Sequence, residues 1–249
     1  MAAMAFAHAW FDSTVAFALV FPALLLAEAL VPPAGGRRRL RGRKADLAWL
    51  GAVLLVAPAV GVVTERAARA LAPYGPVASW AAHSPIAAGA LAFVVADLVA
   101  YGVHRSEHRV PWLWRYHSVH HASTPVDALA GYRFHPVNIA LERGLPVLFV
   151  AAVGFPMGAL VPYLSVAFLV TLLAHMNAAV PRTVLDRIVV TPPFHRAHHE
   201  EARTHYAFVL PVFDRIFGSS DQRKITKPMA SDVAFATNAI PSSSGNARR

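Results

Sequence analysis

The 249-residue chain contains no cysteine. That absence removes disulfides, thiolate zinc sites, iron–sulfur clusters and thiolate-ligated haem together, so any metal must be held by nitrogen and oxygen. Charge is scarce as well: Asp, Glu, Lys and Arg make up 15% of the residues against 56% hydrophobic ones, and mean hydropathy is +0.43. A soluble domain carries about a quarter charged residues, so composition favours an integral membrane protein. Acidic residues are the scarcer sign, 14 against 23 basic, for a formal net charge of +9. The basic residues lie in short polar stretches between long apolar ones, which suits anionic lipid headgroups and argues against a nucleic-acid partner. No glycine-rich phosphate-binding fingerprint occurs, and His135-Pro136 is not followed by a glycine pair. Neither flavin nor a fused haem module is therefore expected.

The apolar runs define the expected topology. Phe11 to Val31 has no basic stretch before it and reads as a retained span, kinked at Pro22, with Glu28 near its end where snorkelling or interfacial water lowers the cost. The densest basic run, Arg37 to Lys44, follows. The positive-inside rule makes this loop cytoplasmic and the N-terminus external. Asp46 to Val63 crosses back, Thr64 to Pro85 forms an external loop with a short interfacial helix, and Pro85 to Val103 returns to the cytoplasm. Leu145 to His175 is broken by Gly154 to Gly158 and by Pro162, which favours a hairpin of two short helices over one long span. Thr191 followed by Pro192 and Pro193 reads as an N-cap with proline in the first turn. The expectation is an all-α polytopic membrane protein with about four embedded segments. Residues 1–84 supply N-terminal spans, and 219–249 form a disordered, cytoplasmic tail.

Histidines concentrate at the edges of these runs. Asp97, Tyr101, His104 and His108 lie at i, i+4, i+7 and i+11, within about 60° of one another on a helix. Asp97 is costly at membrane depth, and its expected role is to orient a ligand imidazole. In HSVHH, His117 and His121 are one turn apart with His120 on another side; HRAHH repeats this with His195, His199 and His198. Adjacent residues point about 100° apart on a helix, so such clusters suit two neighbouring metals better than one. All-imidazole ligation suits iron, zinc, copper or nickel, and spacing does not choose among them.

The order D-x-x-x-Y-x-x-H-x-x-x-H (Asp97 to His108), W-x-x-H-x-x-H-H (Trp114 to His121), R-x-H-P (Arg133 to Pro136), H-x-N (His175 to Asn177), T-P-x-F-H-R-x-H-H (Thr191 to His199) and D-R-x-F-G (Asp214 to Gly218) resembles the fatty acid hydroxylase/sterol desaturase superfamily. The resemblance covers roughly residues 85 to 218, and it implies that 85–218 is a catalytic unit whose histidine-rich site lies in a cytoplasmic helical cap. It implies a non-haem centre of two iron ions that uses O2 to hydroxylate or desaturate a C–H bond of a membrane lipid. Carried over to this sequence, His104, His108, His117, His120, His121, His175, His195, His198 and His199 would be the metal ligands. Asp97, Tyr101, His135 and Asn177 would stand behind them, His135 also as a further ligand. The chain departs from the family pattern at His205, where Asn is usual, and at Phe213, where Trp is common. Reducing equivalents would come from a separate ferredoxin- or cytochrome-b5-like protein with its reductase, docking near Arg203 or Arg215 unless these are interfacial anchors. His8 and His83 fall on the opposite side of the membrane.

Two other readings fit parts of the pattern. A zinc-dependent membrane hydrolase would use metal-bound water, although no HExxH occurs and the nearest acids are Glu107 and Glu200. A non-catalytic metal-binding or transport protein would distribute its histidines along the spans, whereas here they cluster at the ends.

Overall fold

The computed structural model describes residues 20–34, 42–123, 126–181 and 183–221. The first half of the expected Phe11 to Val31 span, most of the basic run and the tail beyond residue 221 lie outside the described residues. Those described are helical, with no β-strand among them. The helices are α1 (Val20–Leu30), α2 (Arg43–Leu71), α3 (Ala78–His83), α4 (Pro85–Arg109), α5 (Pro111–His121), α6 (Pro136–Ile139), α7 (Leu145–Val153), α8 (Met157–Ala174), α9 (Pro192–Glu200) and α10 (Val212–Ile216).

Among the described residues, four segments are long and apolar enough to cross a membrane: Arg43–Tyr74, Pro85–Arg109, Pro136–Val153 and Met157–Ala174. They alternate in direction, so the start of α2, the end of α4, the start of α6 and the end of α8 share one end of the bundle. Two boundaries differ from the sequence expectation. Helix α2 continues past Val63 to Leu71, because Glu65 and Arg69 pair one turn apart at 2.5 Å and Ala68 is fully buried; the polar stretch is therefore helix rather than loop. The first arm of the hairpin begins at Pro136 instead of Leu145, since α6 runs through a π-helical turn, Ala140–Gly144, into α7. A π turn widens the helix by one residue. Here it carries Glu142 and Arg143 inside an otherwise apolar span.

Small residues hold the bundle together. Ala88, Ala92, Ala96 and Ala100 form an i, i+4 stripe on α4 with at most 1% exposure, in one core with Ala159, Tyr163, Ala167, Val170 and Ala174 of α8. Alanines allow close backbone approach between helices where lipid supplies no hydrophobic drive. The outward side chains are large and apolar: Leu55 is 80% exposed, and Phe149, Val161 and Leu173 about half exposed. Such a surface is costly in water and neutral against acyl chains.

Glu28 does not snorkel to an interface. It is buried, and its Oε2 accepts the backbone N–H groups of Ala128 (2.8 Å) and Asn177 (2.9 Å), which ties α1 to two loops of the cap. At the far end, Gly75 and Gly154 pack backbone against backbone; a Cβ on Gly75 would lie 2.2 Å from the Gly154 nitrogen. Gly154 also adopts φ +112°, closing α7 in the left-handed region, and Val77 N–H donates to the Val153 carbonyl at 3.1 Å. Alanine at either glycine is expected to lower the unfolding temperature measured in detergent. The conformational term alone at residue 154 costs about 1–3 kcal/mol. Gly51→Ala, in a helix with no atom within 4 Å of the new Cβ, should be neutral or stabilising.

Candidate metal centre

Each histidine cluster is set by a helix end. His104 and His108 occupy the last two turns of α4, Pro111 starts α5 and brings His117, His120 and His121 back against them, and His175 caps α8. Thr191 is the N-cap of α9, with proline in its first turn, and α9 supplies His195, His198 and His199. The nine side chains fall into two groups. His104, His108, His117, His121 and His198 form the first, and His120, His175, His195 and His199 the second; within each, one ring nitrogen per residue lies within 4.8 Å of all the others. Each HxxHH segment is thus divided, His120 from His121 and His198 from His199, as the angular step of a helix requires. Stacking of His121 on His199, with centroids 4.3 Å apart, joins the two groups.

The outward nitrogens fix the tautomers. Nδ1 of His104 donates to the Tyr206 carbonyl (2.9 Å), Nδ1 of His198 to the Thr204 carbonyl (2.9 Å) and Nδ1 of His175 to the Thr171 carbonyl (2.8 Å). A carbonyl can only accept, so the uncharged form of each of these rings has its lone pair on Nε2. Those Nε2 atoms face other imidazole nitrogens: His104 to His108 at 3.3 Å, His198 to His121 at 3.2 Å, His175 to His120 at 3.2 Å and to His195 at 2.8 Å. Two nitrogens bound about 2.1 Å from one ion are roughly 3.0 to 3.4 Å apart. Nε2 of His117 is buried without a hydrogen-bond partner. Convergent lone pairs at ligand-edge spacing fit a cation in each group.

Behind His117 stand residues the histidine pattern did not reveal. Its Nδ1 donates to Asn138 Oδ1 at 3.2 Å, with Glu142 Oε1 at 3.4 Å and Glu107 Oε2 at 3.6 Å. Asn138 Nδ2 in turn donates to Glu107 Oε1 at 2.9 Å. All four residues are buried. Asn138 and Glu142 are one helical turn apart, and two polar side chains so placed in a membrane span were the available signal. A carboxylate behind a ligand imidazole fixes its orientation and raises its basicity.

Asp97 does not touch an imidazole. Its two oxygens accept the backbone N–H groups of Val209 (3.0 Å) and Leu210 (2.9 Å), while Asp214 accepts those of Tyr206 (2.8 Å) and Ala207 (2.7 Å). Together they clamp the strap 204–210, whose carbonyls hold His198 and His104. Asp97 therefore acts on the cluster through the backbone. Tyr101 serves the same strap: its hydroxyl meets Ser219 Oγ at 2.7 Å and its ring stacks on Phe217. Phe213 packs with Tyr101 and Tyr206. His205 has φ 61°, a left-handed conformation that Asn and His adopt more readily than most residues, so the departure from Asn is conformationally mild. His135 belongs to neither group; its Nδ1 accepts the Val137 N–H at 3.2 Å and caps α6. Asn177 is buried and anchors the loop after His175 through its backbone N–H on Glu28. His83 lies at the far end of the bundle, bonded to Ser79.

Burial is the main cause that depresses the imidazoles outside the spans, reinforced by neighbouring rings. His117, His120, His195, His198 and His199 are held well below the ordinary histidine range, His121 at about 3 and His175 at about 4. At neutral pH their lone pairs are free of protons. Between the groups lies a cavity of about 30 Å³, walled by His104, His117, His120, His175, His195 and Glu142, and closed by Val170, Ala174, Val190 and Phe208.

In metal-stripped protein the unfolded imidazoles take up protons near pH 6.5 while the folded ones do not. The stability they contribute is complete above about pH 6.5 and is lost as pH falls, down to about 4 for His175 and about 3 for His121. The unfolding temperature of chelator-treated protein should be flat above neutrality and decline below pH 6.5. A profile flat down to pH 4 would contradict buried neutral imidazoles.

Comparison with known proteins accords with this arrangement. The fatty acid hydroxylase profile matches residues 89–219, just over half of the chain. An ornithine lipid hydroxylase from Rhizobium tropici is 28% identical over 149 residues, covering 58% of this chain and 44% of that protein. A very-long-chain aldehyde decarbonylase from Oryza sativa subsp. indica is 28% identical over 188 residues, 70% of this chain and 28% of its own length. An alkylglycerol monooxygenase from Danio rerio is 27% identical over 140 residues, 52% of this chain and 29% of its own. The chain thus spans less than half the length of these relatives, and no solved structure matches it. By the extent of the profile match, the chain belongs to the fatty acid hydroxylase superfamily.

Proposed function

We propose that this protein is a membrane di-iron oxygenase that hydroxylates a C–H bond of a lipid, with desaturation as the alternative outcome of the same hydrogen abstraction. The observation that carries the reading is the cavity shared by the two histidine groups. Five of its walls are imidazoles, and the wall facing α8 and the strap is Val170, Ala174, Val190 and Phe208. Such a site presents a nitrogen-rich metal locus directly to hydrocarbon. The relatives named as lipid hydroxylase and alkylglycerol monooxygenase support a lipid substrate. Iron held there supplies the activation of O2 that an unactivated C–H bond needs.

The balance is one C–H bond and one O2 converted to one C–O–H group and one water, with two electrons and two protons taken up. The electrons come from a separate ferredoxin- or cytochrome-b5-like donor with its reductase. The chain's own residues orient and exclude. The clamped strap and the acids behind His117 keep the nine rings in place, and the apolar wall keeps bulk water from the reacting carbon. A volume of about 30 Å³ admits a water or a diatomic gas, so an acyl chain must displace part of the wall, with Phe208 the partly exposed side chain on that side. The histidine end of the bundle lies on the cytoplasmic side, where the donor docks.

Metal analysis and Mössbauer spectroscopy of protein purified from iron-replete cells should find about two irons per chain that are oxidised by O2 after reduction. Zinc alone, inert to oxygen, would sink the assignment and favour the hydrolase. His120→Ala and His198→Ala, one from each group, should abolish lipid oxidation while the protein still inserts into membranes. Glu142→Gln replaces a carboxyl oxygen behind His117 by an amide and keeps the shape; the metal affinity of the first group should fall about 10- to 100-fold. Unchanged affinity would mean that the acid does not tune the ligand.

A further inference from the structure

Helix α4 has 25 residues, about 37 Å at 1.5 Å per residue. The hydrocarbon core of a bilayer is about 30 Å. At its far end α4 follows directly on the short helix α3, where Trp80 is 42% and Ile86 90% exposed; a half-exposed tryptophan at the start of a span is the residue that anchors at the interface. The excess of about five residues therefore falls at the histidine end, which puts the hydrocarbon boundary near Arg105, with Tyr101 and Asp97 inside the leaflet. Segments that touch those two residues lie at the same depth. Phe217 stacks on the Tyr101 ring at 5.3 Å, Val209 and Leu210 bond to Asp97, and Val190 N–H donates to the Val209 carbonyl at 2.9 Å.

The outer side of these segments is apolar and uncovered. Val184, Leu185, Ile188, Ile216 and Phe217 are 46% to 67% exposed, although none belongs to a membrane-spanning helix. Two arginines, Arg187 and Arg215, stand among them and line a groove of about 470 Å³ with Gly218 and Ser220. Neither guanidinium is paired with a carboxylate among the described residues, and Asp214, which also borders the groove, is occupied by the strap and by Ser219. Apolar side chains at hydrocarbon depth, with unpaired arginines beside them, match the order of acyl chains and phosphates in a leaflet.

We propose that Val184–Ile188 and Ile216–Phe217 form a rim immersed in the bilayer, with Arg187 and Arg215 engaging phospholipid phosphates. The cap therefore sits partly in the leaflet instead of standing above it, with the buried Val190 wall of the cavity two residues behind the rim. The inference rests on the membrane spans and is independent of which metal the histidines hold.

Because the chain has no cysteine, single thiols report position directly. Leu185→Cys, Ile188→Cys and Ile216→Cys would each be spin-labelled in phospholipid nanodiscs and compared with Leu55→Cys on the outer face of α2 and Arg203→Cys on the exposed polar side of the cap. All are exposed positions, so labelling leaves the core intact. The collision ratio of oxygen to a water-soluble nickel chelate should resemble that at residue 55 and exceed that at residue 203 several-fold. Replacing Arg187 and Arg215 together by Gln should lower the ratio at residue 188. Labels reached by nickel as freely as at residue 203 would overturn the rim. Labels shielded from both reagents would mean that a second copy or another protein covers the patch, which also overturns it. An unchanged ratio in the double Gln variant would overturn the phosphate contacts.

Discussion

The arrangement depends on one electrostatic constraint: imidazole nitrogens converge on one another across 2.8 to 3.3 Å in a buried site. A neutral partner can answer a lone pair with its own N–H, whereas a cation between the rings takes a lone pair from each of them. Protonation is opposed by burial, which holds the rings outside the spans well below their ordinary range. The same desolvation that makes the site costly when empty makes it selective for a metal, since a bare cation gains four or five donors that no longer have to shed water.

Holding that arrangement requires acceptors for the outward nitrogens, and the two groups obtain them differently. The first draws on the strap carbonyls of Thr204 and Tyr206 and on the Glu107, Asn138 and Glu142 cluster; for the second, the α8 carbonyl of Thr171 holds His175. The first group therefore has two carboxylates nearby and the second has none bonded to its rings. That asymmetry makes the two positions chemically unequal. It also accounts for Asp97, a carboxylate two turns inside a membrane helix: by taking two backbone N–H groups of the strap it removes two unsatisfied donors at a depth where water cannot reach them.

Much of this was legible in the sequence because the relevant signals are local. The HxxxH and HxxHH spacings place rings on helix faces, Thr191 with Pro192 marks the start of α9, and Gly154 with Pro156 marks the hairpin turn. What was not legible depends on contacts between distant segments. Asp97 was expected to orient an imidazole, and only the fold shows that the strap more than a hundred residues later intervenes. Glu142 sits in a π turn, and although its spacing from Asn138 was visible, its partner His117 comes from a helix that only the fold brings beside it. His135 was read as standing behind the ligands or as a further one, and its place at the N-cap of α6 turns its Nδ1 to the backbone. The extent of α2 was underestimated because polar residues suggest a loop, whereas Glu65 and Arg69 pair on a helix surface.

The alanine stripe connects these levels. His104 lies one turn beyond Ala100 on α4, and His175 follows Ala174 at the end of α8; Ala96, Ala100, Ala167 and Ala174 share one buried core. The distance at which those two helices pack thus sets the gap between an imidazole of the first group and an imidazole of the second. The cavity they line occupies that gap. Larger side chains in the stripe would separate the helices and the two histidine groups together, whereas the outward faces of the same helices are free to vary among apolar residues. Close helix packing, elsewhere a matter of stability, here fixes the spacing of the two histidine groups.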